Sequence, residues 1–254
     1  MEELVERIRK IAAPFGLNLI GAAAIDDYDR HAPATMRARG IDPKARSIIL
    51  LANGGGNFWR AFKAYSDDHP GWTERANPLD DFTRAIVEKE IVAQLSAASE
   101  RCTPVYPFVT DGPSLNFMDL GKRAGIAGPS LLGVVVNPTY GPWIAFRAAL
   151  LVEHENGGRG EAVGFDPCPS CVARTCVTSC PAKAVSVVSG WDIPRCLTHR
   201  VEQEADCAPR CHARVACVIG PEHRYPDDEI AYHQMRALRA MRPYYEERLR
   251  ERRS

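Results

Sequence analysis

The stretch Cys168-Pro-Ser-Cys171-Val-Ala-Arg-Thr-Cys176-Val-Thr-Ser-Cys180-Pro181 constrains this chain more than any other. Its spacing is C-x2-C-x4-C-x3-C-P. Bacterial iron–sulfur runs read C-x2-C-x2-C-x3-C-P, and where two clusters are present the fourth cysteine ligates the other one. The present run is two residues longer in its middle gap. Three thiolates on a tight loop can wrap one cubane, while the cysteine before the proline points elsewhere. Pro181 lacks an N–H and suits a first helical turn. A helix is therefore expected to begin there, its amide-rich end toward an anionic cluster.

A second set follows at Cys196, Cys207, Cys211 and Cys217, so eight of the nine cysteines lie between 168 and 217. In a two-cluster arrangement the ligands interchange. Cys217 would then complete the group Cys168, Cys171 and Cys176, and Cys180 would join Cys196, Cys207 and Cys211. Eight thiolates give two [4Fe–4S] clusters with none left over. Cys102 stands apart and reads as a small buried hydrophobe. Zinc is the competitor, because two all-cysteine tetrahedral sites would use the same thiolates. Zinc sites usually come as separated C-x2-C knuckles, and only one such pair is present here, so spacing favours clusters. His199, His212 and His223 read as surface or supporting groups. Two adjacent clusters form a wire, and its acceptor is expected in the first 160 residues.

The balance of the chain fits a soluble globular protein, with 45% hydrophobic and 25% charged residues. Lysine plus arginine equals aspartate plus glutamate at 32 each, so nothing argues for a polyanionic partner. Met1 to Lys10 lacks the apolar core of a signal peptide, and no apolar run reaches the length of a membrane span. These features predict a cytoplasmic protein without membrane contact, where cysteines are not a disulfide framework.

Two domains are expected: an α/β domain over 1–160 that binds a cofactor or partner, and a cysteine-rich domain over 161–254 with a C-terminal helix. Periodicity predicts a helix over 2–14 and strands over 17–25 and 46–52. The segment 26–43 reads as turns with a short helix near Met36, and 60–76 as a surface excursion or lid. A helix runs from Pro78 to about Ser99, its first turn carrying Asp80 and Asp81. Another opens at Asp111 and ends at Gly125. Leu131–Val136 and Trp143–Val152 read as strands, 153–164 as a polar linker, and 227–253 as a helix broken or kinked at Pro243, with a solvated arginine tail (Arg248, Arg250, Arg252, Arg253). After the second strand, Gly54, Gly55 and Gly56 could let a backbone approach a ligand closely or simply form a tight loop. Trp59 nearby is either core or the wall of a flat ligand.

With these residues in view, the chain resembles the epoxyqueuosine reductases and their relatives, the reductive dehalogenases. The resemblance covers most of 10–220. Its strongest element is the cysteine run. Asp111-Gly-Pro-Ser, Lys122-Arg-Ala-Gly125-Ile-Ala-Gly128 and Asn137-Pro-Thr-Tyr-Gly141-Pro-Trp143 with Arg147 follow the family pattern more loosely, as do Arg46-Ser-Ile-Ile and Asp81-Phe82. The resemblance implies an α+β architecture: a nitroreductase-like domain of the cobalamin-processing type, then a ferredoxin-like domain with two [4Fe–4S] clusters. It implies cobalamin, ahead of flavin, against Gly54–Gly56, Trp59 and the Gly125, Gly128 and Gly141 region. On the same analogy Asp81 is the general acid, a role that burial would favour. Its alternative reading is a helix-start carboxylate.

The departures are Thr83 in place of the family histidine, the longer cysteine gap, the looser second set, and a chain that stops about forty residues after Cys217, without the family's helical-repeat extension. The expectation is a short branch with a redox partner protein as electron donor and a small-molecule or modified-nucleoside substrate, tRNA itself being disfavoured by the neutral charge. Two other classes stay open: a non-catalytic electron carrier serving a partner enzyme, and a zinc-stabilised binding protein.

Overall fold

The computed structural model describes residues 1–109, 111–155 and 164–251, and over 248–251 the backbone alone. Most of the expected 153–164 linker and the side chains of the arginine tail lie outside the described residues. The chain divides into two compact units. The first comprises Met1–Gly128 with Ile144–Gly164, the second Pro129–Trp143 with Phe165–Ser254.

The first unit is built on a four-stranded sheet of β1 (Leu19–Ala24), β2 (Ser47–Gly54), β3 (Cys102–Val105) and β4 (Ile144–Val152). Their order is β1-β2-β4-β3, with every neighbouring pair antiparallel. All residues of β2 are buried, and its uninterrupted apolar run is what a strand covered on both faces requires. The register between β2 and β4 shifts at Leu51/Ala52, which sets Asn53 opposite Ala145. Such a bulge bends a strand and re-aims the side chains beyond it.

Helix Glu2–Ala12 buries Leu4, Ile8 and Ala12, one every four residues, along a single stripe. A 3-10 turn over Ala13–Phe15 follows it and closes at Gly16, whose φ of 76° only glycine adopts freely. A Cβ there would lie 2.5 Å from the Phe58 nitrogen.

Several local expectations are corrected. Residues 25–31 form a helix, Ile25–His31, buried through Ile25, Tyr28 and Asp29. The supposed excursion is largely the helix Asn57–Asp68. Its aromatics share one face: Phe58, Phe62 and Tyr65 each place a ring centre 5.2–5.8 Å from that of Phe82. The polar residues that suggested a loop are its solvent side. The helix expected from Asp111 begins at Phe117, because Asn116 is the cap: its side-chain oxygen accepts the Asp119 N–H at 3.1 Å. Leu131–Val136 carries turns rather than a strand, with Gly133 left-handed at φ 73°.

The second unit holds a two-stranded hairpin of β5 (Val185–Ser186) and β6 (Gly190–Trp191), several short helices and one long helix, Asp227–Glu251. No helix begins at Pro181. The chain turns there, closed by the Lys183 N–H donating to the Cys180 carbonyl at 2.9 Å, and Lys183 takes a left-handed φ of 52°. Helix Asp227–Glu251 runs unbroken through Pro243. An interior proline costs about 3 kcal/mol, and packing offsets it: Leu238, Met241 and Tyr245 lie with Leu197, Val201 and Ala208 in one apolar cluster. Trp143, Tyr225 and Ile230 form a second cluster with Val215. Among the described residues no helix is long and apolar enough to cross a membrane.

Candidate metal centre

Within the second unit the eight thiols of the cysteine-rich stretch fall into two groups. Cys168, Cys171, Cys176 and Cys217 line a single, almost wholly apolar recess together with Leu131, Leu132, Val136 and Ile219. The two extra residues of the middle gap have a structural role here. They house Arg174 at a left-handed φ of 43°, its Nε donating to the Cys171 carbonyl at 3.2 Å, and this turn starts helix Thr175–Thr178 with Cys176 on it. The Thr175 hydroxyl donates to the Ala216 carbonyl, which ties that helix to the Cys217 turn. Burial, then the neighbouring Cys217, Cys168 and Cys171, hold the Cys176 thiol above its ordinary pKa. Burial raises Cys217 as well, against the pull of the Ile219 N–H.

Cys180, Cys196, Cys207 and Cys211 make the other group. Cys196 lies on helix Ile193–Glu202, Cys207 at the end of Glu204–Cys207, and Cys211 caps His212–Val215. Cys180 accepts the Ala184 N–H on its sulfur at 3.4 Å. Burial, then Asp206, Cys211, Cys196 and Cys180, push the Cys207 thiol up to about 12. Burial also raises Cys196, opposed by a hydrogen bond from the Trp191 side chain, with Cys211 and Cys180 acting in the raising direction.

Four thiols crowded in poor solvent repel one another once ionised, and a bound cation or cluster relieves both penalties. The donor sets therefore fit iron–sulfur clusters or zinc. Beside the second group, ligand atoms of His199, Asp206 and Cys207 lie within 4.8 Å of one another. Asp206 also faces His212 Nε2 at 3.1 Å. Cys102 is on β3 in the first unit, where burial pushes its thiol up to about 11.

The remaining candidates are engaged within the fold. The Gly54 N–H donates to Asn18 Oδ1 at 2.7 Å, and Asn18 Nδ2 donates back to the Gly54 carbonyl at 3.0 Å. Gly55 is left-handed at φ 66°, and Gly56 precedes helix Asn57–Asp68. Trp59 is buried against Phe62. These four residues adjoin one another. Gly125 lies in the turn after helix Phe117–Arg123, and Gly128 is buried at the end of that segment. Gly141 belongs to the second unit, where a Cβ would run into the Ile219 carbonyl.

Asp81 sits in the first turn of helix Pro78–Ile86. Its side chain is 38% exposed and pairs with Arg75 Nε at 3.2 Å. The Arg75 guanidinium in turn lies 4.3 Å from the Trp72 ring centre. Delivering a proton from Asp81 requires that pair to open.

A buried polar pair escaped the sequence reading. Arg147 Nε donates to Asn53 Oδ1 at 2.6 Å, and its guanidinium lies 4.4 Å from the Phe58 ring centre. The signal is an arginine inside the apolar run Ile-Ala-Phe-Arg-Ala-Ala-Leu-Leu-Val of β4.

No protein-family model matches the chain, and no curated protein matches its sequence. Solved structures do share its fold. An epoxyqueuosine reductase from Bacillus subtilis aligns at TM-score 0.57 and 16% identity, over 89% of this chain and 66% of that one. The C. elegans B12-trafficking protein CblC aligns at 0.59 and 14%, over 92% of each. A reductive dehalogenase described in terms of B12-dependent dehalogenation aligns at 0.53 and 14%, over 94% of this chain and 36% of that one. The fold is theirs. It is a mixed α/β fold on a four-stranded antiparallel sheet. The chain spans about two thirds of the length of the epoxyqueuosine reductases.

Proposed function

We propose that this chain is an iron–sulfur oxidoreductase that holds two [4Fe–4S] clusters and passes single electrons to an acceptor bound by its N-terminal part. The observation carrying this is the sorting of the thiols. Cys168, Cys171, Cys176 and Cys217 share one recess, Cys180 and Cys211 each help to raise the thiols of Cys196 and Cys207, and the Cys176–Cys180 segment runs between the two sets. Clusters bound there would supply one-electron transfer at potentials set partly by hydrogen bonds to sulfur. The chain furnishes such a donor in the Ala184 N–H, which reaches the Cys180 sulfur at 3.4 Å.

In this reading residues 1–160 bind the acceptor and 161–254 carry the electrons, in a reducing compartment where thiols stay available. The acceptor is a corrinoid, supported by fold neighbours that include a B12-trafficking protein and a dehalogenase with B12-dependent chemistry. Gly54 and Trp59 are taken up by internal contacts, which argues against a corrinoid cradle there. The substrate is a small molecule or modified nucleoside, the electron donor a partner protein, and Asp81 the proton donor once Arg75 releases it.

Anaerobic purification with metal and sulfide analysis tests the reading. About eight iron and eight sulfide per chain are expected, two cubanes' worth. Stoichiometric zinc in a colourless protein overturns it. A cobalamin titration then separates an enzyme from a carrier that hands electrons to a partner; no binding by oxidised or reduced protein favours the carrier. The zinc reading has one observation of its own, the mixed nitrogen, oxygen and sulfur set of His199, Asp206 and Cys207.

A further inference from the structure

We propose that His199, Asp206 and Cys207 form a mononuclear site for a divalent ion of the zinc kind, set beside the second thiol group and sharing the Cys207 sulfur with the cluster there. The site goes beyond the function proposed above, and the sharing of its sulfur rests on that function.

Two short helices bring the three residues together. His199 lies on Ile193–Glu202, and Asp206 and Cys207 lie on Glu204–Cys207. The Gln203 N–H donates to the His199 carbonyl at 2.7 Å and the Asp206 N–H to the Gln203 carbonyl at 3.1 Å, which closes the turn between them. Leu197 on the first helix and Ala208 just after the second are buried in one apolar cluster with Leu238, so the two helices are packed in place.

The spacing is that of ligands rather than of hydrogen-bond partners. His199 Nε2 and Asp206 Oδ2 are 3.4 Å apart, and Cys207 Sγ is 4.0 Å from the same oxygen. The first separation exceeds the roughly 2.7–3.2 Å of an ordinary N–H···O bond. All three donor atoms lie within 4.8 Å of one another. Zinc bonds of about 2.0–2.1 Å to nitrogen, about 2.0–2.2 Å to oxygen and about 2.3 Å to sulfur put tetrahedral ligands about 3.4 Å (N···O) and about 3.6 Å (S···O) apart. An ion therefore fits among these atoms with only a small movement of the sulfur.

Asp206 is already turned for the task. His212 Nε2 faces both the Asp206 carbonyl and its Oδ1, each at 3.1 Å. Both are acceptors, so that nitrogen carries the hydrogen and donates to them. One carboxylate oxygen is thereby pinned, leaving Oδ2 toward His199 and Cys207, and outer partners of this kind orient metal ligands. Cys207 is buried while the Asp206 side chain is 48% exposed, so an ion can enter from solvent and keep a water in the fourth position. A set of one nitrogen, one oxygen and one sulfur suits zinc. A thiolate bound to one iron keeps lone pairs for a second metal, and the added positive charge favours the reduced cluster.

The test loads the anaerobically purified holoprotein with excess zinc, desalts it and counts metals. One zinc per chain is expected beyond about eight iron, with one sulfur and otherwise nitrogen or oxygen neighbours by zinc-edge X-ray absorption. His199→Ala should keep the iron and lose the zinc. His212→Ala, which removes no ligand, should keep the iron and weaken zinc binding about 10- to 100-fold. In an EPR-monitored redox titration, zinc should raise the midpoint of one cluster and leave the other in place. Full iron without the extra zinc, equal zinc binding by His199→Ala, or unmoved midpoints overturn the inference alone. Zinc held by four sulfurs in iron-free protein overturns the function reading as well.

Discussion

Gly141 and Gly220 face each other backbone to backbone. A Cβ on Gly220 would lie 2.5 Å from the Thr139 carbonyl oxygen, and one on Gly141 would overlap the Ile219 carbonyl. Both residues are left-handed, at φ 57°. The contact fixes the Asn137–Gly141 turn, itself closed by the Asn137 side chain accepting the Thr139 and Tyr140 N–H groups at 2.9 Å, against the chain just after Cys217. Arg214 secures the same corner, donating from Nε and Nη2 to the Pro142 carbonyl at 3.1 and 2.6 Å.

Gly220→Ala should therefore destabilise the second unit by about 2 kcal/mol or more. The left-handed backbone alone costs about 1–2 kcal/mol with a Cβ, and the clash is with backbone that cannot rotate away. Urea unfolding of the metal-loaded protein measures the loss. An unchanged midpoint would show that the turn yields.

Asp42 should give the first unit a distinct acid sensitivity. The Thr103 hydroxyl donates to its carboxylate at 2.7 Å and the Lys44 N–H at 3.1 Å, with Arg101 at 3.6 Å. The Thr103 hydrogen bond chiefly holds its pKa below the ordinary 3.8, against burial. Because the folded value is depressed, the stabilisation is fully present above 3.8 and is lost as pH falls through the folded value. Asp42→Asn should cost about 1–3 kcal/mol at pH 6, with the gap to wild type closing in acid below pH 3.8. A gap independent of pH contradicts this.

Asp81→Asn should abolish turnover at full iron content if Asp81 is the proton donor. Arg75→Ala should leave stability within about 1 kcal/mol, since exposed ion pairs contribute little. Unchanged turnover in the Asp81 variant removes that residue from the mechanism.

What could be read in the sequence depended on whether the deciding interaction was local. The apolar run of β2 and the stripe Leu4, Ile8 and Ala12 announce themselves through composition and period. So does the first turn at Asp80 and Asp81. Helix Asn57–Asp68 was hidden because its aromatic face is specified by Phe82, more than ten residues away. Segment Leu131–Val136 has the composition of a strand, but its apolar side chains line a recess built by cysteines farther along the chain. The turn after Pro181 depends on Lys183 adopting a conformation that lysine rarely takes. The cysteine spacing suggested how the thiols divide. It could not place Asp206 between His199 and His212, because side chains on different short elements set those contacts.

The central claim is that eight thiolates hold two separate clusters, and paired variants test it most directly. Cys217→Ser and Cys211→Ser, purified anaerobically and assayed for iron alongside EPR of the reduced protein, should each lose about half of the iron expected of two cubanes. The signals lost should differ, that of the first group in one variant and of the second in the other, while Cys102→Ser keeps both. Loss of the same signal in both cysteine variants, or full iron in either, would contradict the account.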